Sequence, residues 1–120
     1  MLPWPPGWAD VQFIAPAGDA LWSAAFARGE LFRSTDLGRT WSVASAGLGN
    51  AHAFHVLEAE RTLYAATDRR LFHSADDGLS WSPHPCRPDQ ALYALAWWRG
   101  QLWVGGEGGL VRSDDGTHLA

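Results

Sequence analysis

The chain has 120 residues and a formal net charge of −4, and 12% of its residues are aromatic. This aromatic content argues against a disordered chain, and the lack of any run of Lys or Arg argues against a nucleic-acid partner. No stretch approaches the roughly 20 apolar residues of a membrane helix, so no membrane partner is expected. The start, MLPWPPGWAD, lacks the basic segment of a signal peptide and is interrupted by prolines. We therefore expect one soluble domain, in a compartment that the sequence does not assign.

Strand-like runs recur along the chain with a period of about 40 residues. The first runs are VQFIA (11–15), AFHVL (53–57) and LYALAWW (92–98). The second runs begin at Leu21, Leu63 and Leu102, and the third runs at Leu31, Leu71 and Leu110. The fourth runs are TWSVA (40–44) and SWSPH (80–84). Short turn-forming segments such as PAGDA and DRR separate the runs. Because short connections join antiparallel neighbours, each unit is predicted to be a meander.

Four strands in a unit of about 40 residues is the period of a β-propeller blade. The predicted units are 11–44, 53–84 and 92–120, which gives an all-β chain of about three blades. The first run of each unit is apolar on consecutive residues, so both of its faces are expected to be buried. The fourth run contains Pro83 in the second unit, which predicts an outer edge strand. Propellers need roughly four to eight blades, so this segment is expected to join further blades of a longer propeller or to self-associate.

One eight-residue segment, STDLGRTW (34–41, box 1), returns as SADDGLSW (74–81, box 2). Both read Ser-x-Asp-x-Gly-x-Thr/Ser-Trp. A third copy, SDDG (113–116), is one residue shorter and has Leu119 near the place of the Trp. The signature resembles the Asp-box, or BNR repeat, of β-propellers in sialidases, sortilin-type receptors and photosystem II assembly factor-like proteins. Because enzymes, receptors and assembly factors share it, the resemblance implies a blade turn and leaves the function open.

Each position of the box has a structural interpretation in the turn before the fourth strand. The aspartates are expected to accept hydrogen bonds from backbone N–H groups, and the glycines to adopt positive φ. The hydroxyl groups are expected to join the two sides of the hairpin, and the tryptophans to fold back over it as apolar plugs. The predicted structural residues are Ser34, Asp36, Gly38, Thr40, Trp41, Ser74, Asp76, Gly78, Ser80, Trp81, Ser113, Asp115 and Gly116.

The same resemblance implies that ligands bind at the end of the blade opposite the box. The turn after the second strand and the linker between blades lie at that end, since connections alternate between the two ends of a meander. The linkers are GLGNAH (47–52) and HPCRPDQ (84–90). The candidate residues of this ligand face are Arg28, Glu30, Asp68, Arg69, Arg70 and Glu107.

The sequence gives weak support for catalysis or metal binding, and we assign no catalytic residue, no metal site and no cofactor. A sialidase-like site would need an arginine cluster, a tyrosine nucleophile beside a glutamate, and an aspartate acid/base, but the Arg-Ile-Pro motif of that family is replaced by FIAP (13–16). Tyr64 and Tyr93 are interpreted as core residues. The five histidines and Cys86 offer no second pair at zinc-ligand spacing, and the one cysteine excludes an internal disulfide.

The favoured function is therefore a non-catalytic scaffold or binding surface for an unidentified ligand, a carbohydrate or a protein. The alternative is a piece of a sialidase-like glycoside hydrolase whose catalytic residues lie mostly outside this chain.

Overall fold

The computed structural model describes residues 11–25, 31–49, 51–84, 91–107 and 109–113. The prediction of an all-β chain is confirmed: three antiparallel sheets, named blades 1 to 3, each have their strands in chain order. Blade 1 contains β1 (Val11–Ala17), β2 (Ala20–Ala25), β3 (Leu31–Ser34) and β4 (Ser42–Val43). Blade 2 contains β5 (Ala53–Ala59), β6 (Thr62–Thr67), β7 (Leu71–Ser74) and β8 (Ser82–Pro83). Blade 3 contains β9 (Leu92–Trp98), β10 (Gln101–Gly106) and β11 (Gly109–Ser113). Within these ranges no helix could carry the chain across a membrane.

The three blades share one register, so their residues can be matched position by position. Equivalent cross-strand pairs are Trp22 with Arg33, Tyr64 with His73, and Trp103 with Arg112. Each first hairpin also has a one-residue register shift near the start of its first strand, at Gln12, Phe54 and Tyr93 respectively. A bulge at the same place in every blade shows that one structural unit is used three times.

Two apolar cores lie between neighbouring blades. The core between blades 1 and 2 contains the fully buried Trp22, together with Val56 and Trp81. The core between blades 2 and 3 joins Tyr64 of blade 2 to Leu95 of blade 3. Blade 2 contributes to both cores because successive residues of a strand point to opposite faces of its sheet. Burial of this apolar surface is the main stabilising contribution to the stack of blades.

The prediction that both faces of every first strand are buried is wrong for the two outer blades. Ile14 of β1 is 62% exposed, and Tyr93 and Trp98 of β9 are 52% and 57% exposed. Each outer blade packs against one blade among the described residues, and Ile14 and Trp98 lie on the faces that have no described neighbour. The interpretation of Tyr93 as a core residue is also wrong, since Tyr93 is 52% exposed although its ring centroid lies 5.4 Å from that of Phe54 in blade 2. Tyr64 is 7% exposed and lies in the core.

The fourth strands are shorter than the sequence indicated, with two residues each at β4 and β8. All four of these residues are exposed. Pro83 lies in the edge strand β8. Its lack of a backbone N–H therefore removes no hydrogen bond between strands.

Candidate functional site

The two boxes form the same tight turn. In box 1, Leu37 and Gly38 have φ of 64° and 84°, and in box 2, Asp77 and Gly78 have φ of 62° and 84°. The backbone N–H of Arg39 donates to the Asp36 carbonyl at 3.4 Å. Positive φ at both central residues is the signature of a type I′ turn, and glycine adopts it without the steric cost that other residues meet.

An aspartate organises each turn. The backbone N–H of Thr40 donates to Asp36 Oδ1 at 2.9 Å, and the Thr40 hydroxyl donates to Oδ2. The Ser34 hydroxyl donates to Asp36 Oδ1 at 2.8 Å and accepts a hydrogen bond from the Gly38 N–H at 2.9 Å. The Thr40 hydroxyl first, then the Thr40 N–H and the Ser34 hydroxyl, lower the pKa of Asp36 from 3.8 to about 2, because these bonds favour the ionised carboxylate.

Box 2 repeats this arrangement, with each distance within 0.1 Å of its equivalent in box 1. Asp76 Oδ1 accepts from the Ser80 N–H at 2.9 Å and from the Ser74 hydroxyl at 2.7 Å, and Oδ2 accepts from the Ser80 hydroxyl. The Ser80 hydroxyl, then the Ser74 hydroxyl and the Ser80 N–H, lower the pKa of Asp76 to about 2. Both carboxylates are thus committed to their own turn.

Trp81 of box 2 packs against blade 1, which corrects the prediction that it folds back over its own hairpin. Its ring meets Trp22 edge-on with 5.7 Å between ring centroids. Its Nε1–H donates to the Ala44 carbonyl at 2.9 Å, and its backbone N–H donates to the Ala46 carbonyl at 2.8 Å. The equivalent Trp41 of box 1 is only half-buried. The box tryptophan therefore joins neighbouring blades.

The turn of box 2 completes the contact with blade 1. A Cβ placed on Gly78 would lie 2.1 Å from the Cη2 atom of Trp22, so only glycine fits there. Beside this contact, Arg33 of blade 1 forms an ion pair with Asp77 of box 2 at 2.8 Å. The guanidinium of Arg33 also lies 5.8 Å from the Trp22 ring centroid. This pairing was not predicted from the sequence, where its signal is the acidic residue beside the box 2 glycine.

At the opposite end of the blades, two predicted ligand-face residues bind the linkers. Asp68 Oδ1 accepts from the His52 N–H at 2.8 Å, and the Asp68 N–H donates to the His52 carbonyl at 3.0 Å. Glu107 Oε1 accepts from the Ala91 N–H at 2.8 Å, and the Glu107 N–H donates to the Ala91 carbonyl at 3.0 Å. We call each set of two bonds a linker clamp. In both blades, an acidic residue after the second strand is hydrogen-bonded to the segment that leads into the first strand.

The turn between β6 and β7 of blade 2 is held by Thr67. Its hydroxyl accepts from the backbone N–H groups of Arg69 and Arg70 at 3.2 and 3.0 Å, and donates to the Arg70 carbonyl. The Arg70 guanidinium reaches the His84 carbonyl at 2.6 Å. Arg69 is exposed. A rigid turn therefore presents one arginine to solvent and uses the other within the fold.

Several predicted residues lie outside the described ranges, namely Arg28, Glu30, Asp115, Gly116 and the linker from 85 to 90. Ser113 ends β11.

Two clefts lie near box 2, away from the predicted ligand face. One, of about 490 Å³, is lined by Asp19, Glu58, Asp76, Asp77 and Arg61 among others. Another, of about 400 Å³, lies between Arg33, the segment from 42 to 46, and the box 2 turn. Among the described residues no three His, Cys, Asp or Glu side chains form a group suited to a metal ion.

No family model and no curated protein matches the chain, but solved structures do. An ancestral GH74 enzyme matches with a TM-score of 0.80 at 15% identity, over 99% of this chain and 19% of that one. YCF48 from Cyanidioschyzon merolae matches with a TM-score of 0.74 at 16% identity, over 99% and 38%. The extracellular domain of BT4673 from B. thetaiotaomicron matches with a TM-score of 0.75 at 20% identity, over 92% and 16%. These neighbours are BNR-repeat and propeller proteins. The three sheets are β-propeller blades.

The propeller segment spans 16% to 19% of the BT4673 and ancestral GH74 chains and 38% to 40% of the YCF48 chains. At these identities the likeness shows the fold alone. One of the neighbours, YCF48, has been solved bound to D1 peptide. In blade 2 the box and the linker clamp mark the two ends of the blade, and the clamp end presents Arg69.

Proposed function

We propose that this chain is a non-catalytic Asp-box propeller segment that binds a protein or peptide ligand at the clamp end of its blades. The proposal is based on the contrast between the hydrogen-bonded carboxylates and the exposed Arg69. Those of the boxes and of the clamps are occupied by hydrogen bonds to the fold, whereas Arg69 is held on a rigid turn and exposed. An exposed guanidinium on a rigid turn suits recognition of a carboxylate.

The bound carboxylates are poorly suited to acid/base catalysis. A general acid or base works best with a pKa near the working pH, and the pKa values of Asp36 and Asp76 are lowered to about 2. Asp68 and Glu107 accept hydrogen bonds from linker N–H groups. A sialidase-like mechanism would need a tyrosine nucleophile, but Tyr64 is buried between blades. These contacts favour a binding role over the glycoside hydrolase alternative.

The ligand class is inferred from the binding partner of one structural neighbour. YCF48 is a propeller solved with D1 peptide, and a peptide offers the carboxylates and backbone groups that an arginine beside a linker can bind. Binding of the D1 peptide, fluorescently labelled, is measured by anisotropy for the wild-type chain and for Arg69→Ala. The matched control is Arg39→Ala, an exposed arginine in box 1 at the other end.

We expect the Arg69 variant to bind the peptide more weakly and the Arg39 variant to bind it like wild type. Equal binding by both variants, or no binding by the wild-type chain, would count against the clamp end as the ligand face. The same proteins are assayed with a fluorogenic sialoside, for which no turnover is expected. Turnover that Arg69→Ala abolishes would instead support the glycoside hydrolase alternative.

A further inference from the structure

Two aromatic rings lie side by side at the clamp end, where β5 and β9 begin. The ring centroids of Phe54 and Tyr93 are 5.4 Å apart, with 57° between the ring planes. Phe54 is the second residue after His52, and Tyr93 is the second after Ala91. His52 and Ala91 are the residues that the two linker clamps hold. The clamps therefore fix the backbone beside both rings, which we call the aromatic pair.

The aromatic pair occupies the bulge of each first strand. The ladder between β5 and β6 skips Phe54, and the ladder between β9 and β10 skips Tyr93. Bulges redirect a side chain and are common beside active sites. The strands β5 and β9 contact each other and form the sheet edges opposite the box strands. The pair therefore lies where neighbouring blades meet, on the side that faces the central channel of a propeller.

The aromatic pair is accessible although it lies between two packed blades. Blade 2 has a described blade on each side, and Phe54 of blade 2 is still partly exposed. Tyr93 is 52% exposed even though its ring lies against that of Phe54. On the same strand, Leu92 and Leu95 are buried in the core between blades 2 and 3. The bulge position thus presents its side chain to solvent while the positions around it pack.

The exposed Arg69 lies within reach of the aromatic pair. Its chain neighbour Asp68 is hydrogen-bonded to His52 through both the backbone N–H and the carboxylate. The Cα atoms of Arg69 and Phe54 are therefore at most roughly 17 Å apart, because one Cα–Cα step, one hydrogen-bonded residue pair and two strand residues separate them. An extended peptide of about five residues spans that distance. One short peptide can therefore contact both the guanidinium and the rings.

We propose that the aromatic pair binds an apolar side chain of the peptide whose carboxylate binds Arg69. This inference rests on the proposed function and extends it, because it specifies a ligand with a carboxylate and an apolar side chain within about five residues of each other. Aromatic rings supply a large contact area at a low cost in conformational entropy. Their faces and edges suit an aromatic or aliphatic partner. Arg69 then orients the peptide, and the aromatic pair selects the apolar side chain.

Anisotropy of the fluorescently labelled D1 peptide tests the aromatic pair in the full chain. Tyr93→Ala should weaken binding by roughly two- to tenfold, the range of one aromatic contact. Tyr93→Phe keeps the ring and should bind the peptide like wild type. The matched control is Trp98→Ala, because Trp98 is 57% exposed at the other end of the same strand. Urea midpoints verify that all variants fold.

The peptide is varied in the same assay. Each of its apolar residues is replaced by serine in turn, and the weakening caused by one of these replacements should disappear in Tyr93→Ala, as a double-mutant cycle requires of a direct contact. Free and amidated forms of the peptide distinguish a terminal carboxylate from an acidic side chain as the partner of Arg69.

The outcomes separate the aromatic pair from the proposed function. If Arg69→Ala weakens binding while Tyr93→Ala binds like wild type, the aromatic subsite is overturned and the proposed function stands. Fully additive effects of Tyr93→Ala and every serine replacement would also overturn the subsite. No binding of the peptide by the wild-type chain would overturn both.

Discussion

Replacing Gly78 with alanine should weaken the interface between blades 1 and 2. The alanine must adopt the φ of 84°, at a cost of about 1–2 kcal/mol for a left-handed residue. Its Cβ would also lie 2.1 Å from Trp22, which is fully buried and donates its Nε1–H to the Ala17 carbonyl at 3.2 Å. Displacing such a ring adds about 1–3 kcal/mol of overpacking strain. We expect a total loss of about 2–5 kcal/mol in the free energy of unfolding.

The comparison that isolates the ring contact is Gly100→Ala. Gly100 has a φ of 75° in the turn between β9 and β10, and nothing lies within 4 Å of a Cβ placed there. Gly100→Ala should therefore cost only the backbone term of about 1–2 kcal/mol. Both free energies are measured by urea unfolding, with equal m-values as the check on two-state behaviour. Equal destabilisation by the two variants would show that the Gly78 turn does not pack on Trp22 and would refute the blade interface described above.

Three further results are expected. Trp81→Ala should lower the free energy of unfolding by about 3–5 kcal/mol, and Trp41→Ala by clearly less, because only Trp81 is fully buried between described blades; the urea midpoints should rank in that order, and the reverse ranking would contradict it. NMR titration should give Asp76 a pKa near 2 that rises towards 3.8 in Ser80→Ala, so its stabilising contribution is present above pH 3.8 and lost as the pH falls towards 2; an unchanged pKa would count against the Ser80 hydroxyl bond. Burial lowers the pKa of His55 below 6.5, so stability should fall as the pH drops below 6.5, and His55→Gln should reduce that slope in a pH series of urea midpoints.

The fold was largely predictable because its determinants are local. The apolar runs and the turns between them specify each meander, and the box specifies its own turn, since Asp36 and the groups that it accepts from lie within four residues of one another. A repeat also identifies equivalent strands even where one copy is degenerate, as in blade 3. These elements can be predicted without knowing how one blade packs on the next.

The contacts between blades were the part that the sequence did not reveal. The repeat aligns positions within a unit and therefore predicts that Trp81 packs on its own hairpin, but the ring packs on Trp22 in the preceding unit. The turn positions of Asp68 and Glu107 predict ligand-face charges, but they do not reveal that both carboxylates accept hydrogen bonds from the backbone N–H groups of His52 and Ala91. In each case the partner is set by the stacking of blades or by the path of a linker, which hydrophobic periodicity does not encode.

The linker clamps bear on the order in which the chain acquires its structure. Each clamp closes a loop of 16 residues, whereas the bond from the Trp81 indole to Ala44 spans 37 residues and joins two blades. By chain entropy alone the longer closure costs about 0.7 kcal/mol more. The first hairpin of a blade should therefore close before neighbouring blades dock, and pulsed hydrogen exchange should protect the His52 and Ala91 amides earlier than the Trp81 indole during refolding. Simultaneous protection would show that hairpin closure and blade docking are one event. Sequential protection would show that each blade folds as a unit, closed by its own linker clamp, before the blades dock.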